Sequence, residues 1–240
     1  MSWAEGGCLF EREHHRRIAA VLAALDVDVL AAHACWFGGG TAMALRYGEY
    51  RESADIDFLV SDLAGYRTLR QLLTGPAGLG ALVKAGSQLT PARELRADQY
   101  GLRTLVREGG VAIKFEIVLE ARIAFDLPGP ADAIAGVLGL TPLDLAAGKL
   151  LALADRWRDD SVFSRDLIDL AMMQPAKPML RAAVMKAATA YGDSVESSLA
   201  SAVQDLRERP HRLDACMGAM QMTTVSKAQL WTRIKALEKR

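Results

Sequence analysis

The chain has 240 residues, equal numbers of basic and acidic side chains (29 each), 51% hydrophobic and 24% charged residues. That composition excludes a disordered polypeptide, and the absence of net charge excludes a generally basic nucleic-acid binder, so any contact with nucleic acid must use a local patch. The three cysteines, Cys8, Cys35 and Cys216, are too scattered for a disulfide framework or a thiolate metal site. Residues 1–17 carry Glu5, Glu11 and Glu13 instead of an apolar leader, and no apolar run reaches membrane-spanning length. These features predict a cytoplasmic protein with no membrane association.

In chain order, residues 11–30 read as one helix. Ile18, Val21, Leu22 and Leu25 recur at helical spacing, opposite Arg12, Arg16 and Arg17. His14 and His15 fall on its charged side and are expected to be solvated. A short strand over residues 34–37 feeds the glycine run Gly38-Gly39-Gly40, followed by a helix over 41–47. Residues 54–60 alternate polar and apolar as a strand, and 66–73 form a helix closed by Gly75-Pro76. Residues 100–107 and 111–119 read as a hairpin turning at Glu108-Gly109-Gly110, with another short strand expected over 121–125. The Leu127-Pro128-Gly129-Pro130 punctuation predicts a boundary between an α+β domain, residues 1–128, and a helical domain, residues 129–240. The second domain is expected to hold helices over 143–157, 161–173, 178–191, 195–207 and 226–238. The predicted fold class is therefore α+β: a mixed sheet flanked by helices, then a C-terminal helical domain.

The chemistry concentrates in two segments. Strand side chains alternate faces, so Asp55 and Asp57 share one face while Ile56 and Phe58 take the other. In residues 112–118, Ile113, Phe115 and Ile117 face one side and Lys114 and Glu116 the other. If this strand lies beside residues 54–60, Glu116 joins the two aspartates. Converging carboxylates beside the N–H groups of a glycine-initiated helix suit divalent metal and polyphosphate, the requirements of phosphoryl or nucleotidyl transfer. Each part alone also has a plain structural reading: a solvated strand face for the acids and a tight turn for the glycines.

The run Gly39-Gly40-Thr41-Ala42-Met43-Ala44-Leu45-Arg46 followed by Ser53-Ala54-Asp55-Ile56-Asp57-Phe58 resembles the DNA polymerase β-type nucleotidyltransferase signature. Within that superfamily the chain is most similar to the AbiEii/AbiGii toxin-type, MenT-like enzymes. Lys149 in residues 144–156 matches that family's later lysine motif, and Arg165-Asp166 with residues 167–170 matches its final aspartate motif, so the likeness covers about residues 37–170. The chain has three glycines at the turn where the family usually has two.

The resemblance implies a nucleotidyltransferase fold and a toxin that moves NMP from an NTP to RNA, in particular a tRNA 3′ end, thereby blocking translation. It implies two Mg²⁺ ions, replaceable by Mn²⁺, held by Asp55, Asp57 and Glu116. Lys149 and Asp166 would complete the catalytic set. Gly39, Gly40 and Thr41 would cradle phosphates, with Arg46 and Lys114 as further nucleotide-binding residues. It also implies a cognate antitoxin partner. Thr41 could instead simply cap its helix. Asp169 could pair with Arg165 at the helix surface, leaving Asp166 as the functional acid. Arg93, Arg96, Arg103, Arg107 and Arg122 could form the RNA patch or be scattered surface charges. Transfer to a protein side chain or small molecule (an antibiotic-type activity) and a non-catalytic nucleotide-binding module remain alternatives.

Overall fold

The computed structural model describes residues 10–238. The expectations resting on Glu5 and Cys8 lie outside the described residues.

Helix α1 (Glu13–Ala24) buries Ile18, Val21 and Leu22, the stripe its spacing predicts. The single helix expected over residues 11–30 divides, because the Asp26 carboxylate accepts from the Asp28 and Val29 amides and so caps a new helix, α2 (Val27–Ala32). Leu25 between them is extended and bridges to Val83. Strand β1 (Trp36–Gly38) runs directly into α3 (Gly39–Arg46), and β2 (Ile56–Val60) precedes α4 (Leu63–Leu73).

Two short strands, β3 (Thr90–Pro91) and β4 (Arg96–Ala97), border the long hairpin of β5 (Gly101–Glu108) and β6 (Val111–Leu119). Gly109 and Gly110 both have positive φ, the backbone a two-residue hairpin turn requires. The sheet order is β1-β2-β6-β5-β3, with β4 on β5. β2 and β6 are parallel, placing Asp57 opposite Glu116, while β5 and β6 are antiparallel, placing Arg103 opposite Glu116. One face is apolar: Phe58 stacks between Phe37 and Phe115, each 5.6 Å away between ring centres.

No strand forms over residues 121–125: Glu120 ends the pairing by bonding back to the Val60 carbonyl, and the Phe125 amide donates to Ser61. A second small hairpin, β7 (Ala133–Ile134) and β8 (Val137–Leu138), turns at Ala135 and Gly136, both with positive φ. The alanine hides it from a search for glycine- or asparagine-led turns. Gly139 just beyond bridges to Phe37 of β1.

Six α-helices follow among the described residues: α5 (Pro142–Arg156), α6 (Arg165–Met173), α7 (Lys177–Tyr191), α8 (Ser194–Glu208), α9 (Arg212–Ala219), which the sequence pattern missed, and α10 (Lys227–Ala236). The helix expected over 161–173 starts only at Arg165, because Phe163 and Ser164 adopt left-handed backbone. α5 and α6 also contact α3, which brings the helices over the polar face of the sheet.

Candidate active site

A cleft of about 340 Å³ lies between the polar face of β2 and β6, the start of α3, and the facing sides of α5 and α6. Asp55, Asp57, Lys114, Glu116, Gly39, Gly40, Thr41, Lys149 and Asp166 all line it. Arg46 does not. It sits at the far end of α3, roughly 9 Å of helix rise from the glycine turn, and pairs with Asp132 at 2.9 Å.

The glycine turn is shaped by its neighbours. Gly39 has φ +68°, and a Cβ there would run into the Asp57 carboxylate. The backbone therefore lies directly against Asp57, with the free N–H groups of the first turn of α3 alongside. At Gly40 a Cβ would meet the Arg51 guanidinium at 2.5 Å. The Thr41 hydroxyl has a role the sequence did not suggest. Buried, it donates to the Asp55 carbonyl at 2.5 Å and pairs with the Ser53 hydroxyl at 2.8 Å, fixing the approach to β2. The N-cap position of α3 is Gly38, so Thr41 is not its cap.

Burial, then the charges of Asp55 and Glu116, push the Asp57 carboxyl up to about 6, against the opposing pull of Lys114 and Lys149. Glu116 is already compensated, by Lys114 at 2.7 Å and Arg103 at 3.1 Å. Among the described residues no three acidic, histidine or cysteine side chains stand as a ready ligand set. The donor chemistry nevertheless fits a hard divalent cation. Asp55 and Asp57 offer carboxylate oxygens, and the strain raising Asp57 is of the kind a cation relieves.

Beneath the cleft lies a buried ionic cluster that sequence reasoning caught only in part. Lys149 contacts Asp166 at 3.0 Å and Asp169 at 2.6 Å. Arg156 grips Asp166 with two N–H groups, at 2.7 and 3.0 Å. Arg51 grips Asp169 likewise, at 2.6 and 2.9 Å, and the Tyr50 hydroxyl donates to the same carboxylate at 2.7 Å. The expected surface pair of Arg165 with Asp169 is thus corrected. Asp169 is fully buried, while Arg165 is exposed at the cleft. Burial alone would raise both aspartate carboxyls; Lys149 with Arg156 at Asp166, and Arg51 with Lys149 at Asp169, more than reverse this and hold both below the usual range. Three cations against two anions leave a positive surplus at the cleft wall. Arg51 could not have been singled out from spacing, since its partner is 118 positions away.

Two arginines of the expected RNA patch are engaged: Arg103 with Glu116 and Asp98, and Arg122 with Glu120 and Asp155. Arg93, Arg96 and Arg107 are exposed.

His15 is corrected as well. It is fully buried, with Nδ1 2.7 Å from Glu49 and Nε2 accepting from the Ser53 amide at 3.2 Å. Burial lowers its pKa despite Glu49 and Glu52 nearby, so the imidazole sits neutral with Nδ1–H donating. The folded protein then binds fewer protons here than the unfolded chain, and this stability is present above pH 6.5 and lost as pH falls below it. In thermal melts taken from about pH 7.5 down to about pH 5.5 the midpoint of His15→Gln should rise relative to that of the wild type, because its amide can make both bonds without titrating while Asp57 titrates alike in both. Equal slopes would remove His15 from this role.

Comparison with known proteins bears on the whole chain. The sequence model of the family described as nucleotidyl transferase AbiEii toxin, type IV toxin–antitoxin system, matches residues 20–235, well beyond the 37–170 stretch over which motifs are visible. A candidate nucleotidyltransferase from H. pylori has a similar structure, with 17% identity, 96% of each chain covered and a TM-score of 0.53. JHP933 from Helicobacter pylori is similar at 18% identity, covering 96% of this chain and 94% of its own, with a TM-score of 0.50. At these identities the likeness shows the fold alone. No curated protein matches the chain.

Proposed function

The chain belongs to the AbiEii family of nucleotidyl transferase toxins of type IV toxin–antitoxin systems and is a nucleotidyltransferase, and from that premise we propose that it transfers NMP from an NTP to RNA, with the tRNA 3′ end as acceptor. Translation would stop because an extended acceptor end cannot be charged. The family implies a cognate antitoxin.

The observation that carries this reading is the contact of the Gly39 backbone with the strained Asp57 carboxylate, facing Lys149 across one cleft. In the proposed mechanism the first-turn N–H groups of α3 bind the β- and γ-phosphates, aided by the helix dipole. Lys149, with Arg156 behind it, offsets the charge that builds on the leaving pyrophosphate. Asp166 aims Lys149 at the cleft, and Thr41 with Ser53 keeps Asp55 in register. Asp55 and Asp57 would hold the divalent cation, Mg²⁺ first, with Glu116 the third candidate ligand. Such a cation supplies Lewis acidity toward the triphosphate and makes the attacking 3′ hydroxyl easier to deprotonate. Lys114, paired with Glu116 in the cleft, would meet the incoming phosphates.

The test is incubation of the protein with Mg²⁺, bulk tRNA and each α-labelled NTP in turn. Label should appear on tRNA with at least one NTP. No label with any of the four would overturn the tRNA reading and turn the search to protein or small-molecule acceptors.

A further inference from the structure

The cleft is chemically divided. One end carries the acids, the glycine turn and the lysines described above. The rest of its lining is mainly apolar, with the buried Asp144, paired to Lys186, among it, and nothing in the phosphate chemistry uses it. Leu59 lies on the same side of β2 as Asp57, two residues on and so about 7 Å further along the strand. Leu140, Leu145 and Phe125 line the same cleft, as do Gly148 and Ala152 of α5. Residues 145, 148, 149, 152 and 156 lie on one face of α5 at helical spacing, so the face that presents Lys149 to the acidic end presents Gly148 to the apolar end.

Gly148 is the telling residue. It sits in the interior of a 15-residue helix, where glycine is disfavoured. Its φ is not in the positive region, and a Cβ added there would meet nothing within 4 Å. Neither backbone conformation nor packing within the protein therefore asks for glycine. What its missing side chain leaves is open space in the cleft.

Resting on the nucleotidyl-transfer reading, we infer that this apolar slot between Leu59 and Gly148 seats the nucleobase of the bound NTP. A base is flat and apolar on both faces, which matches a lining of aliphatic side chains beside a bare glycine. Its distance from Asp57 along the strand is of the order separating a base from its α-phosphate. Glu120 and Arg122 also line the cleft, bonded to each other at 2.6 and 2.8 Å, and would meet the polar edge of the base.

The test compares binding of the four NTPs and of inorganic tripolyphosphate, with Mg²⁺, by calorimetric titration to the wild type, Gly148→Ala and Gly148→Leu. Gly148→Ala should melt no lower than the wild type, since it places a better helix former where an added Cβ meets nothing within 4 Å. The wild type should bind at least one NTP roughly tenfold or more tighter than tripolyphosphate. Gly148→Leu should lose that advantage, Gly148→Ala should lose part of it, and tripolyphosphate affinity should stay within about twofold throughout. NTP affinity unchanged in Gly148→Leu, or no tighter than tripolyphosphate in the wild type, would overturn the base seat while leaving the phosphate seat intact. NTP binding that falls in the variants without any tripolyphosphate binding would uphold the base seat and overturn the phosphate seat. Failure of the wild type to bind either would overturn both. Gly148→Ala keeps the question decidable should the larger substitution fail to fold.

Discussion

Asp57→Asn should lower nucleotidyl transfer by about three orders of magnitude and at the same time raise the melting temperature. The activity loss follows from removing a carboxylate proposed to hold the cation, a contribution of several kcal/mol at about 1.4 kcal/mol per decade. The stability gain follows from the direction of the pKa shift. Burial and the charges of Asp55 and Glu116 raise the folded-state value from 3.8 to about 6. The folded state thus holds more protons than the unfolded chain between those values, and stability falls as pH rises through them. At neutral pH the ionised carboxylate costs on the order of 2–3 kcal/mol. An amide of the same shape removes that cost, worth roughly 5 °C or more in a chain of this length. Added Mg²⁺ should stabilise the wild type and leave Asp57→Asn unmoved. A variant that keeps its activity would sink the assignment of Asp57; one that melts lower would show that its carboxylate is better compensated than burial and Asp55 imply. Differential scanning fluorimetry across pH, with and without Mg²⁺, reads both.

The second large effect concerns stability. Asp169→Ala should destabilise the fold by about 3–5 kcal/mol, since it leaves Arg51 and Lys149 buried without their shared counter-ion. The carboxylate accepts four bonds or ion-pair contacts, from Tyr50, from two guanidinium N–H groups and from Lys149. A fall of about 10 °C in melting temperature is the expected readout. Because the Asp169 carboxyl is held below its ordinary value, its contribution is present above the unfolded value of 3.8 and is lost as pH falls toward the folded one. The deficit of Asp169→Ala against the wild type should therefore narrow in strong acid. A loss under about 1 kcal/mol would mean that water or Asp166 compensates the cations, and the cluster would be ordinary surface charge.

These two aspartates show how unevenly the sequence speaks. Asp57 was legible because its signals are nearby in sequence: alternation on a strand and a glycine-initiated helix that starts 18 positions upstream, at Gly39. Asp169 was misread as a surface partner of Arg165 because helical spacing names neighbours on one helix and says nothing about which face another helix covers. His15 was misread for the same reason: its side of α1 carries charges, yet Glu49 and Ser53 close over it. The break at Asp26 was available in principle, as an aspartate two and three residues before free amides is an N-cap signal, but the uninterrupted apolar stripe concealed it.

What the sequence by itself determined is the set of local features: the apolar stripe of α1, the turn at Gly109-Gly110, the strand faces bearing Asp57 and Glu116, and the motif order that marks a nucleotidyltransferase. What only the tertiary structure decided is which of these features meet. The parallel pairing of β2 with β6 sets Glu116 beside Asp57, the fold of α6 against α5 joins Asp166 to Lys149, and Arg51 reaches Asp169 across 118 positions. Local propensity is written in residues a few places apart. The burial, neighbouring charge and empty space that set a carboxyl's pKa or keep a glycine bare come from segments far away in the chain, and they exist only once the chain has closed on itself.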